Sequence, residues 1–193
     1  LVFVPSPIAG EHYVRFGFPK NRLDVMPEFI EAQPFLSGSI RGGDLPNTFN
    51  QERPFRLLHI GRLLRMKGLD LLICALAGLR NSGRSVTATI IGDGPQREYL
   101  QSLTQKLNLD EAIKFIPWSE EASLASAYAD CDAFVHPCRF PEPLGRTIIE
   151  ALFFGRPIVT SKNSGSAWAA GDAGVTADMG SAKDLEMILT RLY

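Results

Sequence analysis

The chain is poor in cysteine. Its 193 residues hold three, Cys74, Cys131 and Cys138. An odd, scattered set builds no disulfide framework and points to a reducing compartment. Cys131 and Cys138 stand seven positions apart with no second pair, which argues against a zinc site. An excess of one charge is also missing: 20 Lys and Arg against 21 Asp and Glu leave a formal net charge of −1. No whole-molecule field therefore favours nucleic acid, although a local cationic pocket stays open. There is no apolar run of membrane-spanning length, and no basic n-region at the start to mark a signal peptide. The chain opens on Leu1 rather than Met, which reads as a fragment or a processed form.

What is present is ordinary for a globular protein: 45% hydrophobic and 21% charged residues, in a length that suits one α/β core and a remnant of something else. Residues 1–30 read as strand (Leu1–Pro5), helix (Ile8–Phe16, stopped at Gly17) and strand (Leu23–Met26). Residues 31–54 carry Ser, Gly, Asn, Gln and Pro and read as a linker. From residue 55 to 193 the pattern alternates. Strands are expected at Arg56–Ile60, Val86–Ile91, Ile113–Ile116, Ala133–His136 and Ile158–Thr160, with a short apolar stretch at Gly174–Ala177. Helices are expected at Asp70–Arg80, Gln96–Leu107, Ala122–Ala129, Arg146–Phe154 and Ala182–Leu192, with a loop after Thr160. Short Val- and Ile-rich strands alternating with amphipathic helices imply βαβ units and a doubly wound, Rossmann-like parallel sheet. Such sheets bind ligands outside the carboxyl ends of their strands, so the strand-to-helix turns carry the chemistry.

Three turns stand out. After the first strand of the 55–193 region, Gly61-Arg62 and then Lys67-Gly68 set two cations before a helix N-terminus, a place suited to a diphosphate. After the second, Gly92-Asp93-Gly94-Pro95 lacks the third glycine of a dinucleotide fingerprint and reads as a tight turn. After the fourth, His136-Pro137 leads through Arg139 to Glu142-Pro143-Leu144-Gly145 and a helix containing Glu150. A carboxylate inside so apolar a helix needs a partner: a ligand hydroxyl, or a cation such as Arg146 or Arg156. Helical rise separates Glu142 from Glu150 by at most ~12 Å, about the span from a sugar across a diphosphate to a ribose. Asp130-Cys131-Asp132 looks like a metal-binding Asp-x-Asp, but it precedes a strand and so belongs at the amino end of the sheet.

Taken in order, Gly61-Arg62 with Lys67-Gly68, Gly92-Asp93-Gly94-Pro95, Glu142-Pro143-Leu144-Gly145 with Glu150-Ala151, and Gly155-Arg156-Pro157-Ile158-Val159 resemble the group 1 retaining glycosyltransferases of the GT-B fold. The resemblance covers about residues 55–170, and residues 1–30 resemble the tail of that family's N-terminal acceptor domain. It implies that 55–193 is the C-terminal donor-binding domain, 31–54 the linker, and that most of the acceptor domain is missing. By the same resemblance, Arg62 and Lys67 hold the diphosphate and stabilise the leaving nucleotide, and Glu142 contacts the donor sugar. Backbone near Gly61, Pro143, Leu144 and Gly145 assists, Glu150 binds the ribose, and the backbone near Trp118 and Ser119 meets the base. Transfer would retain configuration without a metal or other cofactor, to a glycan or lipid-linked acceptor read by the missing domain. A cytoplasmic protein follows, with room for peripheral contact at the membrane. Cys138 stands where Ser is usual, Arg139-Phe140 lengthens that loop, Asn163-Ser164-Gly165-Ser166 replaces a Gly-Gly-x-Pro-Glu turn, and Glu28 stands where Asn is usual.

Other readings compete. A non-catalytic sugar-nucleotide-binding or regulatory domain would carry the same charged pairs. A nicotinamide-dependent oxidoreductase is opposed by the missing third glycine and by the lack of an acidic residue closing the first βαβ unit. An epimerase on the same fold fits the Glu pair less well.

Overall fold

A computed structural model describes residues 1–31, 52–118, 121–178 and 180–193. Most of the 31–54 segment read as a linker lies outside the described residues, as does Ser119. The chain opens with β1 (Val2–Val4), α1 (Pro7–Arg15) and β2 (Leu23–Val25), a small parallel pair with Val2 beside Leu23. Ser6 caps α1 by accepting from the Ala9 amide at 3.2 Å, and Pro7 sits at the first helical position, where its missing N–H costs nothing.

Six further strands form one sheet: β3 (Phe55–Ile60), β4 (Val86–Ile91), β5 (Ile113–Ile116), β6 (Ala133–His136), β7 (Ile158–Ser161) and β8 (Gly174–Ala177). Their order is β5-β4-β3-β6-β7-β8 and every pairing is parallel. The crossovers are α2 (Leu69–Asn81), α3 (Arg97–Lys106), α4 (Glu121–Asp130), α5 (Arg146–Phe153) and α6 (Gly165–Ala170), and α7 (Ala182–Leu192) closes the chain. This is the doubly wound sheet expected, with most boundaries within a residue or two.

The pleat sorts side chains onto two cores. Leu57, Ala133, Val135 and Val159 pack with α2 and α7 on one face. Leu58, Ile60, Phe134 and Ile158 pack with α4 and α5 on the other. Seven residues of α2 are buried, at roughly 1.5–3 kcal/mol for each full-sized apolar side chain. The segment after Thr160, expected to be loop, instead holds α6 and a 3-10 turn at Gly171–Ala173. Ser164 caps α6, accepting from Ala167 N at 3.1 Å, and the Ala-rich run behind it favours helix despite Gly165.

The strand order decides where a ligand can sit. From β3 the chain winds outward through β4 to β5; it then returns to place β6 against the other side of β3 and winds outward again. The crevice between the carboxyl ends of β3 and β6 is the topological switch point of the sheet. Among the described residues no helix is long and apolar enough to cross a membrane.

Candidate functional site

Two loops meet at this switch point. The β3–α2 turn runs through Gly61 and Arg62 into a 3-10 turn, Arg65–Lys67, and closes at Gly68. Gly68 has φ +66, and a Cβ there would stand 2.0 Å from the Pro137 carbonyl oxygen of the facing loop. Only glycine permits both the left-handed backbone and that approach. The facing loop, after β6, carries Cys138 to Gly145. It is fastened to the first by a twofold ion pair of Arg139 with Asp70 of α2, one branch of it 2.7 Å long, and by Arg139 N donating to Met66 O at 2.8 Å.

This fastening brings Lys67 Nζ to 2.6 Å from Glu142 Oε2, with both side chains 15% exposed. Lys67 also lies 5.6 Å from the Phe140 ring centroid. Burial alone would raise the Glu142 pKa, but the His136 and Lys67 side chains outweigh it and hold the carboxyl at about 2. His136 is itself driven toward the neutral form by burial, so Lys67 supplies the charge. Arg62 lies two residues past the end of β3, is exposed, and has no ion-pair partner among the described residues. The two cations read from the sequence thus differ: Lys67 is paired and Arg62 is open. A groove of about 640 Å3, lined by Leu64, Arg65, Met66, Pro95, Gln96 and Arg139, opens alongside.

The remaining residues read from sequence fall as follows. Gly61 donates its amide to Ile91 O at 3.0 Å. The Gly92 turn is a close approach of the two neighbouring loops: a Cβ on Gly92, at φ +140, would stand 2.0 Å from Gly61 O. Trp118 is exposed after β5, and its amide is held by Asp93 Oδ2 at 2.8 Å. The same Asp93 pairs with Arg97 at 2.8 Å, and these bonds, the Trp118 amide first, hold its carboxyl below the ordinary value. Pro143 O accepts from the Ser6 hydroxyl of α1, Leu144 is buried, and Gly145 (φ +85) opens α5. Glu142 O accepts from Gly165 N at 2.7 Å, which ties the loop to α6.

Glu150 lies on α5, 6% exposed. The Tyr128 hydroxyl of α4 donates to its Oε2 at 2.6 Å, and Arg146 Nε lies 3.4 Å from its Oε1. Of the two cations considered from sequence, Arg146 is the partner; Arg156 instead donates to Cys131 O at 2.9 Å. Asp132 lies at the amino end of the sheet, with Arg53 at 2.6 Å and the Arg56 amide at 2.8 Å.

Sequence reasoning missed Tyr128, which sits on a different helix, and the role of Asp93 in the Gly92 turn. It named His136 and Cys138 but not their meeting: Cys138 Sγ lies 3.1 Å from His136 Nε2 and 3.4 Å from Glu142 Oε2. His136 also stacks on the buried His59, ring centroids 5.7 Å apart.

A doubly wound sheet with a cation–carboxylate pair at its switch point defines a protein with a site suited to a polar, anionic ligand. Comparison with known proteins narrows this. The chain belongs to the family described as "Glycosyl transferases group 1", which matches residues 44–193. It is 35% identical over 112 residues to the glycogen synthase of Mycobacterium tuberculosis, covering 58% of this chain and 27% of that protein. It is 31% identical over 150 residues to the lipopolysaccharide core biosynthesis glycosyltransferase LpsD of Rhizobium meliloti, covering 77% of this chain and 40% of that protein. The solved structure of Anabaena Alr3699/HepE in complex with UDP and glucose superposes on 99% of this chain and 52% of its own, at 25% identity and a TM-score of 0.81. The chain thus spans about half the length of that solved protein, and less of the two curated relatives. Its fold is that of the C-terminal half of GT-B glycosyltransferases.

Proposed function

We propose that this chain is the donor-binding part of a glycosyltransferase that moves a sugar from a nucleotide-diphosphate sugar to an acceptor, with retention and without a metal. The observation that carries the reading is the Lys67–Glu142 pair at the switch point, with Arg62 open beside it. The diphosphate takes Lys67 and Arg62, whose charge matters most as the nucleotide leaves. Released from Lys67, Glu142 accepts hydrogen bonds from donor-sugar hydroxyls, with backbone near Gly61, Pro143, Leu144 and Gly145 assisting. The backbone near Trp118 is assigned to the base. Retention is assigned to attack by the acceptor hydroxyl from the face the phosphate leaves: its bond to the anomeric carbon forms as the sugar–phosphate bond breaks, and its proton passes to the leaving phosphate, so positioning and electrostatics carry the rate. The acceptor, a glycan or lipid-linked sugar, is read by the remainder of the enzyme, which we place in the cytoplasm with peripheral membrane contact. By the same reading, residues 1–30 belong to the acceptor domain, 31–54 to the linker and 55–193 to the donor domain.

Glu150 admits two readings. In the first it binds the ribose. The second is favoured by its bonds to Tyr128 and Arg146: the carboxylate is structural. Donor titration of Glu150→Gln separates them, since a ribose ligand loses donor affinity and a structural one loses melting temperature. A non-catalytic sugar-nucleotide-binding domain is the alternative for the whole site, and transfer by the full-length protein decides against it. The chain itself should bind donor without turnover. A thermal-shift panel of UDP-, GDP- and ADP-sugars in EDTA tests the proposal: one nucleotide series should raise the melting temperature. No shift with any of the three would overturn it.

A further inference from the structure

His136, Cys138 and Glu142 form a cluster that the donor reading uses only in part. Their ligand atoms make a small triangle: Cys138 Sγ to His136 Nε2 is 3.1 Å, Cys138 Sγ to Glu142 Oε2 is 3.4 Å, and His136 Nε2 to Glu142 Oε2 is 3.7 Å. Tetrahedral bonds of about 2.0–2.3 Å set the ligand atoms of zinc ~3.3–3.6 Å apart. The triangle is therefore close to one face of a tetrahedral site. Among the described residues no other three His, Cys, Asp or Glu side chains bring ligand atoms so near one another.

The backbone that carries these atoms is held from below. Ser161 Oγ donates to Cys138 O at 2.6 Å, Thr160 Oγ1 donates to His136 O at 3.1 Å, and Cys138 N donates to His136 O at 3.0 Å. His136 and Cys138 are both buried, with Glu142 at the open side. Spacing in the sequence argues against zinc because Cys131 and Cys138 stand seven apart with no second pair. The fold sends Cys131 elsewhere, its Sγ on Tyr128 O at 3.4 Å, and supplies an imidazole and a carboxylate to Cys138 instead.

We propose that His136 Nε2, Cys138 Sγ and Glu142 Oε2 form a three-ligand site for a thiophilic divalent cation such as zinc, in competition with Lys67. Binding replaces the thiol proton, which leaves to solvent, by a metal–sulfur bond. It takes the Glu142 oxygen that Lys67 holds at 2.6 Å, so metal occupancy and the Lys67–Glu142 pair exclude each other. Three protein ligands leave a fourth position for water or an anion oxygen. His136 Nδ1 finds no hydrogen-bond partner among the described residues, so the imidazole lacks the outer support that tight sites have. Moderate affinity is expected. The site does not rest on the donor assignment: nucleotide binding in chelator and metal binding without nucleotide are separate measurements.

Cobalt(II) is the probe, titrated into the reduced, metal-stripped chain without nucleotide. The expected result is one equivalent bound, a near-ultraviolet thiolate-to-cobalt band, intense visible bands of four-coordinate metal, and reversal of all of them by zinc. Cys138→Ser, with folding checked by circular dichroism, should abolish the near-ultraviolet band and weaken zinc at least about tenfold. Cys74→Ser should leave both unchanged. Lys67→Met should tighten zinc several-fold by removing the competing cation. Absence of a thiolate band, or a band that survives Cys138→Ser, would overturn the site. Unchanged zinc affinity in Lys67→Met would overturn the competition.

Discussion

Two carboxylates eight positions apart differ in almost everything but residue type. Glu142 stands on the rim just before α5, with Lys67 at 2.6 Å and open solvent beside it. Glu150 stands in the second turn of α5, 6% exposed, under the Tyr128 hydroxyl. On the proposed reading a ligand takes Glu142 from Lys67 at little cost, because the lysine would turn to the ligand's phosphates. Taking Glu150 from Tyr128 would leave a buried hydroxyl without its acceptor, at roughly 1–3 kcal/mol. Proximity in sequence therefore says little about shared duty. What separates the two is the partner each meets across the fold. Asp132 offers a third case, as tightly paired as Glu142 but at the amino end of the sheet, where no ligand is expected.

The largest expected effect lies in the buried pair. Tyr128→Phe should cost up to roughly 3 kcal/mol, seen as a lower denaturant midpoint with unchanged slope, while nucleotide binding by the folded fraction stays at the parent level. A loss of nucleotide affinity with stability intact would transfer Glu150 to the ligand side of the comparison.

Next in size is the acid response of Glu142. Its folded pKa, about 2, lies below the unfolded value of ~4.3. The stability it contributes is complete above the unfolded value and fades as pH falls toward 2. After allowing for water at its open side, this is roughly 2 kcal/mol. Glu142→Gln, measured in chelator, should differ most from the parent near neutrality and converge on it toward pH 2. Parallel stability curves across that window would show that Glu142 is not held by charge.

The smallest effect is at the far end of the sheet. Asp132→Asn can keep one acceptor for the Arg56 amide but loses the second acceptor of the twofold Arg53 pair and the charge that faces Arg53 and Arg56, which should cost about 1.5 kcal/mol. Nucleotide affinity should not move. A fall in affinity there, restored by manganese, would revive the Asp-x-Asp reading.

How far the sequence reaches can be judged from particular residues. The strands of the large sheet were legible because Val and Ile runs such as Val86–Ile91 recur between amphipathic helices. The α6 segment was not, since Asn163-Ser164-Gly165 has loop composition and its helix depends on the Ser164 cap. The shared rim of Lys67 and Glu142 followed from the topology rule, but their 2.6 Å contact did not. It needs Gly68 against Pro137 O and Arg139 on Asp70, contacts between segments about seventy residues apart. That Glu150 needs a partner was legible from its apolar helix, and Arg146 was among the candidates. Tyr128 was not, because it sits on another helix with no periodic relation to α5.

The central claim is that the β3–β6 crevice binds a nucleoside diphosphate through Lys67 and Arg62. Calorimetric titration of UDP, GDP and ADP into this chain in EDTA tests it most directly, repeated with Lys67→Ala, Arg62→Ala and Asp132→Asn. The account predicts that one of the three nucleotides binds, that each rim substitution weakens it about tenfold or more, and that Asp132→Asn leaves it unchanged. Binding that ignores Lys67 and Arg62, or no binding by any of the three to a folded chain, would contradict it.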